Sequence, residues 1–504
     1  MKNRIITLQL MILLISGISI VSAQNNFHSS KHKVSFEGLN GDFNVNFKGN
    51  IKVTDDDKGI QSISQGGFLE IEKKTFGNNR RLNIYPNSSG TLVYEYYEGL
   101  TKKNFEPEGR IWMQEILPDI IRNTGIDVEG RVQRFYSKGG INSILAEIKT
   151  IESDFVAANY YRVLILQQKL TDSEYKLAII ALSRTISSDF EKSNVFIAAS
   201  DIYENENSLT EAYLTSVSSI SSDFEKSRVL KNLDIQKLNE TQLSYYLNTT
   251  NTISSDFEKS NVIKFIVNRT NLPASTILLA IKATAIINSD FEKSSCLIQI
   301  LSKTTDDKSL VEIFNAVENM NSDFEKSNVL KQSVSKLKTT TPLLDAFFNA
   351  VNSMNSDFEQ GSVLQAVSAS NLSGDELTSR IFKSAGKIAS DFEKANVLKS
   401  AARNFKQGST VYEDFFNAAK TINSDFELSG VLKSLIINSN IDEPLTLMIL
   451  NSTTSISSDF EKANVLKLLA GKMPKTDKVK EEFIKAAKTI NSSTEFGDLM
   501  KAVF

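Results

Sequence analysis

A tetrapeptide, Ser-Asp-Phe-Glu, recurs along this chain, and its spacing constrains the fold more than any other feature. The aspartates of its ten copies are Asp154, Asp189, Asp223, Asp256, Asp290, Asp323, Asp357, Asp391, Asp425 and Asp459, separated by 33, 34 or 35 residues. Self-similarity at that period marks a solenoid, in which each unit buries its apolar face against its neighbours. Every copy has Ser before the Asp and Phe after it, and Glu follows in all but the first, which has Val156. An eroded eleventh copy begins at Ile490-Asn-Ser-Ser.

Ser-x-x-Glu is a capping box, so each copy opens a helix. The pairs Ser188 and Glu191, Ser222 and Glu225, and Ser322 and Glu325 are assigned this structural role. Asp and Glu in a first turn also favour the positive end of the helix dipole, by roughly 0.3–1 kcal/mol each. Ten helix starts therefore explain ten acidic motifs without catalysis. Within the same helix Phe224, Leu230 and Leu233 are expected on or near one buried face, with Val229 beside it. Four residues after each Asp the side chain is always small, as in Ala158, Ser193, Ser327, Gly361 and Ala463, which predicts a seam of close helix packing.

Upstream of each Asp lies a second apolar stripe, such as Phe347, Phe348, Val351 and Met354, with starts signalled by Ser208-Leu-Thr-Glu211, Thr410-Val-Tyr-Glu413 and Pro342. Two residues, such as Ser221-Ser222, are expected between the helices. The fold class predicted is mainly α: a right-handed α-solenoid of ten to eleven 34-residue helix-turn-helix repeats over residues 140–504, on the order of 100 Å long at the usual 8–10 Å helix spacing. The Trp, Gly, Tyr and Pro landmarks of the tetratricopeptide repeat are absent.

Ahead of the array, residues 33–105 alternate with period two between turn residues, as in Phe43-Asn-Val-Asn-Phe and Leu92-Val-Tyr-Glu-Tyr-Tyr, which predicts a small antiparallel β head of six to eight strands. Gly66-Gly67, Gly77-Asn-Asn and Asn87-Ser-Ser-Gly mark its hairpin turns. Residues 106–139 read as a helical adaptor, with Ile111, Trp112, Ile116 and Leu117 on one face, Pro118 ending or kinking it, and a stop at Gly139-Gly140. Residues 1–23 combine Lys2 and Arg4, an apolar run and Val21-Ser22-Ala23, the pattern of a signal peptide cleaved after Ala23, with an uncleaved signal anchor as the alternative, and 24–32 read as a flexible linker. Secretion or a periplasmic location follows, without stable membrane insertion once the signal is removed.

Chemistry is sparse. A formal net charge of −3 gives no basic excess for nucleic acid. Two histidines, His28 and His32, and one cysteine, Cys296, provide no zinc cluster, and Cys296 aligns with a core column of Val residues. No motif for a nucleophile, phosphate loop or metal helix appears, so the expectation is no enzyme, no cofactor and no metal. An enzymatic site near Tyr96, Tyr97, Glu108 and Arg110 would lack recognisable chemistry. One polar column stands out: Asn194, Asn261, Asn328, Asn396 and Asn464, five residues after an Asp, is a possible partner surface, although bonding to a neighbouring helix end is the plainer reading. Lys192, Lys226, Lys259, Lys293, Lys326, Lys394 and Lys462 are expected to be solvated.

Gly66-Gly-Phe-Leu-Glu-Ile-Glu-Lys-Lys, Arg80-Arg-Leu-Asn-Ile, Leu117-Pro-Asp and Thr124-Gly-Ile carry a resemblance. With them the chain resembles uncharacterised bacterial envelope proteins that join a β head to Ser-Asp-Phe/Tyr helical, HEAT-like repeats, and is similar to segments beside BlaR-type antirepressor metallopeptidases. The resemblance implies an accessory or sensor-like binding role in the envelope. It supplies no site residues, and the peptidase's zinc helix and membrane spans have no counterpart here. The function expected is an exported, non-enzymatic interaction protein binding a protein or peptide on the solenoid surface. A structural spacer of the envelope and an accessory sensor for a signalling peptidase are the alternatives.

Overall fold

A computed structural model describes residues 31–38, 41–75, 77–404 and 411–503. The signal sequence, His28, most of the assigned linker and the start at Thr410 lie outside the described residues. The fold is a helical-repeat solenoid preceded by a small antiparallel β domain, with 23 α-helices in tandem among the described residues. Contacts divide the chain into two compact units between Leu233 and Asp234.

In the first unit, eight strands run from His32 to Lys103. Six of them, β1 (His32–Gly38), β2 (Gly41–Lys48), β5 (Phe68–Thr75), β6 (Asn78–Pro86), β7 (Leu92–Glu98) and β8 (Thr101–Lys103), form a meander in that order. β3 (Ile51–Val53) and β4 (Ile60–Ile63) make a separate hairpin. Register aligns Val45, Ile71, Leu82 and Tyr96 as one cross-strand row, all buried. Period two sends their neighbours Asn46, Glu70, Asn83 and Glu95 to the other face. The turn glycines Gly66, Gly77 and Gly90 take φ of 73°, 85° and 84°, a region that favours glycine.

Helix α1 (Arg110–Thr124) covers the apolar sheet face with Trp112, Met113, Ile116, Leu117, Ile120 and Ile121. Pro118 neither ends nor stops this helix, which continues to a left-handed Gly125. Burial of Leu117, Ile120 and Ile121 on either side of the ring outweighs the one hydrogen bond that Pro removes. Helix α2 (Val128–Ile148) is broken at Gly139 and Gly140, where φ/ψ of −154°/20° and 61°/−158° leave the helical region.

The repeats follow as alternating helices, called A and B. The B helices begin at the Ser-Asp-Phe motifs: Asp154–Gln167, Asp189–Tyr203 and Asp223–Asn232 in the first unit, then Asp256–Val267, Asp290–Lys303, Asp323–Ser333, Asp357–Ser368, Asp391–Ala401, Asp425–Asn438 and Asp459–Ala470 in the second. Within each unit successive B helices touch, as do successive A helices, giving two layers. The connections are longer than two residues, since the A helix Asn207–Val217 precedes a B helix starting at Asp223. That A helix starts without a side-chain cap, and Ser208 lies inside its first turn. Pro342 occupies the first turn of Thr341–Asn352 as its fixed φ requires.

Candidate functional site

The physical logic of the motif is visible one side chain at a time. In each B helix the Ser hydroxyl accepts from the backbone N–H three residues on, as Ser188 does from Glu191, Ser222 from Glu225 and Ser322 from Glu325, each at 3.3 Å. The Ser backbone N–H is already taken by the Asp of the preceding repeat. Asp290 Oδ2 accepts from the N–H groups of Asn321 and Ser322 at 2.8 and 2.7 Å, and Asp323 Oδ2 from Asn355 and Ser356 at 2.9 and 2.8 Å. The motif Glu therefore does not close a capping box. It turns to the previous repeat, where Ser193 donates to Glu225 and Ser429 to Glu461, both at 2.5 Å, and Lys399 and Lys433 pair with Glu427 and Glu461 at 2.8 and 3.2 Å.

The lysine column is not solvated. Lys192, Lys226, Lys259, Lys293, Lys326, Lys394 and Lys462 are only 3–8% exposed. The ammonium groups of Lys192, Lys326, Lys394 and Lys462 reach the end of the next A helix, Lys326 donating to the Ser353 carbonyl at 3.1 Å and Lys394 to that of Thr421 at 2.9 Å. A helix C-terminus carries unpaired carbonyls and partial negative charge, so it suits a buried cation. Burial lowers the pKa of Lys226, Lys326 and Lys394, partly countered by nearby aspartates. The motif is thus a stitch between repeats, its Asp bonding forward and, in copies such as those of Glu225 and Glu461, its Glu bonding back.

The remaining residue of the motif points the other way. All ten phenylalanines are exposed, from 51% at Phe155 to 68% at Phe426. Phe224 is therefore not on the buried face with Leu230 and Leu233. Advancing about 100° per residue from the Asp, the small residue, Lys, Val and Leu at offsets four, three, six and seven share one arc, and Phe at offset one falls outside it. Seven exposed rings, Phe257, Phe291, Phe324, Phe358, Phe392, Phe426 and Phe460, stand on successive touching B helices of the second unit. Phe155, Phe190 and Phe224 stand likewise in the first.

One turn after the Phe lies the asparagine column, half-buried in every copy. Asn194 accepts from Arg228 at 2.9 Å. Among the described residues no hydrogen bond reaches the side chains of Asn261, Asn328, Asn396 or Asn464, so the expected bond to a neighbouring helix end is not seen there. Asn159 occupies the same offset in the first copy and accepts from Arg162 at 2.9 Å. The exposed Phe row was the feature missed by reading the motif as apolar and therefore core. Helical angle relative to the small column carried the signal.

Elsewhere the candidate residues do not converge. Cys296 is fully buried, its thiol pushed up to about 11 by burial, with the Ser260 carbonyl 3.6 Å away. Tyr96 is buried under Trp112 and donates to Glu98 at 2.8 Å, its hydroxyl raised to about 12 by burial first and the Glu98 bond second. Tyr97, on the opposite sheet face, stacks under Arg81, and Arg110 pairs with Glu106. His32 stacks on Phe47 at 5.1 Å.

A buried ion network near the β3–β4 hairpin was not legible beforehand. Arg131, 1% exposed, bonds Asp57 and Glu147, each at 2.7 Å, and donates to the Tyr160 hydroxyl, while Arg122 holds Glu147 at 2.9 Å. Burial alone would raise the Glu147 carboxyl, but the bonds from Arg122 and Arg131 win and lower it. The partners sit 74 and 16 residues from Arg131, distances no local pattern encodes. Among the described residues no group of three or more His, Cys, Asp or Glu is placed to hold a metal, and no helix is long and apolar enough to cross a membrane.

Comparison with protein-family models and with curated proteins returns no match. Among solved structures, a computationally designed self-assembling cyclic homo-oligomer aligns over 75% of this chain and 96% of its own at 12% identity, with a TM-score of 0.07. At that score it supports no argument about this chain.

Proposed function

We propose that this is an exported, non-enzymatic interaction protein that binds a protein partner through the Phe-bearing face of its B helices. The observation that carries the reading is the row of exposed phenylalanines. Single exposed apolar side chains are ordinary, but a phenylalanine exposed by more than half at one position of every repeat has no packing role to explain it. Stability does not require it, because the seam, the aspartate caps and the buried lysines already join the repeats. Export is supported by the basic start, apolar run and small-residue end of residues 1–23. Catalysis finds no support in the scattered placement of Tyr96, Tyr97 and Arg110.

A structural role in the envelope is the second reading, favoured by the sameness of the row from copy to copy. The test is affinity capture from cell envelope with the full-length protein, beside a version lacking residues 24–105 and one carrying Phe324→Ser, Phe358→Ser and Phe392→Ser. Capture should survive loss of the β head and fall at least tenfold in the triple variant. Equal capture by the triple variant and the parent sinks the reading.

A further inference from the structure

The Phe row of the second unit is nearly invariant, and that invariance bears on what covers it. A surface that reads a particular sequence varies from repeat to repeat, because each site meets a different side chain. Here the exposed side chain is Phe in all seven copies. Two of the flanking glutamates are paired within the chain, Glu427 with Lys399 and Glu461 with Lys433, whereas the repeat before Glu393 has Gln365 in place of that lysine. Such a surface fits a partner that is itself apolar, uncharged and periodic at the spacing of these helices.

We propose that the occupant is a second copy of this chain, docked antiparallel so that its own Phe row meets this one about a two-fold axis. The inference rests on the reading of the row as a protein-binding surface. Identity of sequence makes the two periods equal over all seven repeats, whatever the helix spacing. Isologous pairing of one patch with itself is also the commonest geometry of homodimers. Area agrees: taking about 200 Å² for a whole Phe side chain, seven rings exposed by 57–68% present on the order of 800 Å², close to the ~800 Å² per partner of a standard interface. One helical turn from the rings, Asn261, Asn328, Asn396 and Asn464 present carboxamides with no hydrogen-bond partner among the described residues. A carboxamide holds both a donor and an acceptor, so it pairs with another carboxamide across a dyad. Phe358 is the middle ring of the seven and lies nearest the axis.

The test is sedimentation equilibrium of the full-length protein, expressed with its native N terminus and recovered after any processing. A monomer–dimer equilibrium at micromolar concentration is expected, weakened more than tenfold in the Phe324→Ser, Phe358→Ser, Phe392→Ser variant. Because these rings are solvent-exposed, that variant should retain its helical circular dichroism and melting temperature. Oxidation supplies an independent readout: Phe358→Cys should give a disulfide-linked dimer, whereas Phe257→Cys should crosslink to Phe460→Cys and not to itself. Dimers that persist in the triple variant, or crosslinking of Phe257→Cys to itself without crosslinking of Phe358→Cys, overturn the proposal. A protein that stays monomeric also overturns it. If such a monomer still captures another envelope protein through the Phe row, the broader reading stands, and if capture ignores the row both fall.

Discussion

Glu393 shows what happens to a motif side chain when its partners are missing. Glu292 and Glu461 each meet a Ser and a Lys from the previous repeat, but the repeat before Glu393 offers Gly361 and Gln365. Burial raises the Glu393 carboxyl, and the charge of Asp357 raises it further. A raised folded-state pKa makes this group favour folding below its ordinary value of 4.5, an advantage lost as pH rises through the folded value. Gln365→Lys should restore the missing partner and raise stability at neutral pH by ~0.2–1 kcal/mol, as exposed pairs do. Urea unfolding at pH 7 and pH 4 should show the gain only at the higher pH. A gain that is independent of pH would contradict the pairing. The small column makes a second residue-level demand. Ser327 is fully buried, its hydroxyl has no partner, and an alanine at Gly361 would already place its Cβ 3.3 Å from Glu393. Ser327→Leu should therefore cost about 1–3 kcal/mol through overpacking, seen as a lower melting temperature. Ser327→Ala should be neutral or slightly stabilising, since it removes an unpaired buried hydroxyl.

Elements were legible in the sequence to the extent that local chemistry dictates them. The ten B helices announce themselves through Ser caps and acidic first turns, and the hairpins through Gly66, Gly77 and Gly90. Pro118 was misleading because its cost is local while the gain that outweighs it comes from the sheet beneath α1. The lysine column was read as solvated because Lys carries a charge, and only the position of the next A helix reveals a cluster of carbonyls waiting for it. The Phe row failed in the opposite direction, an apolar side chain left outside. Asn194 to Asn464 form a column legible in the sequence, but that Asn194 is held by Arg228 required coordinates. Least legible was the joint between the β3–β4 hairpin and α2, where Asp57, Arg131 and Glu147 meet. Glu147→Gln tests that joint. Its depressed folded-state pKa contributes stability above the ordinary value of 4.5, lost as pH falls through the folded value. Removing the charge leaves Arg131 buried with one carboxylate fewer, at a cost on the order of 3 kcal/mol at pH 7. The variant should also lose less stability than the parent between pH 6 and pH 3 in urea titrations. An unchanged acid profile would show that Glu147 is not a source of the acid sensitivity.

In a molecule built by repetition, stability is a sum of units and of the stitches between neighbours, so the same substitution should have different consequences at different places. Helix Ser493–Val503 is the last described one, with Leu499 as its one buried residue, and its cap is secured by Asp459, which accepts from Asn491 and Ser492 at 3.1 and 2.8 Å. Asp323 makes the equivalent bonds in mid-array, where helices on both sides depend on them. Asp459→Ala leaves two backbone donors unpaired at a helix with little apolar burial to hold it. Hydrogen exchange should then show residues 493–503 losing protection, while Asp357–Ser368 keeps the parent's rates. Asp323→Ala deprives a helix whose Val363, Leu364 and Val367 are buried. That helix has enough packing to stay folded, so the lost bonds, worth about 1–3 kcal/mol, should appear as faster exchange across neighbouring repeats on both sides. The contrast follows from one-dimensional coupling, in which an interior stitch is shared and a terminal one is not. Equal and uniform loss of protection in both variants would mean that the second unit unfolds as a single block, and that the nearest-neighbour description of the array is wrong.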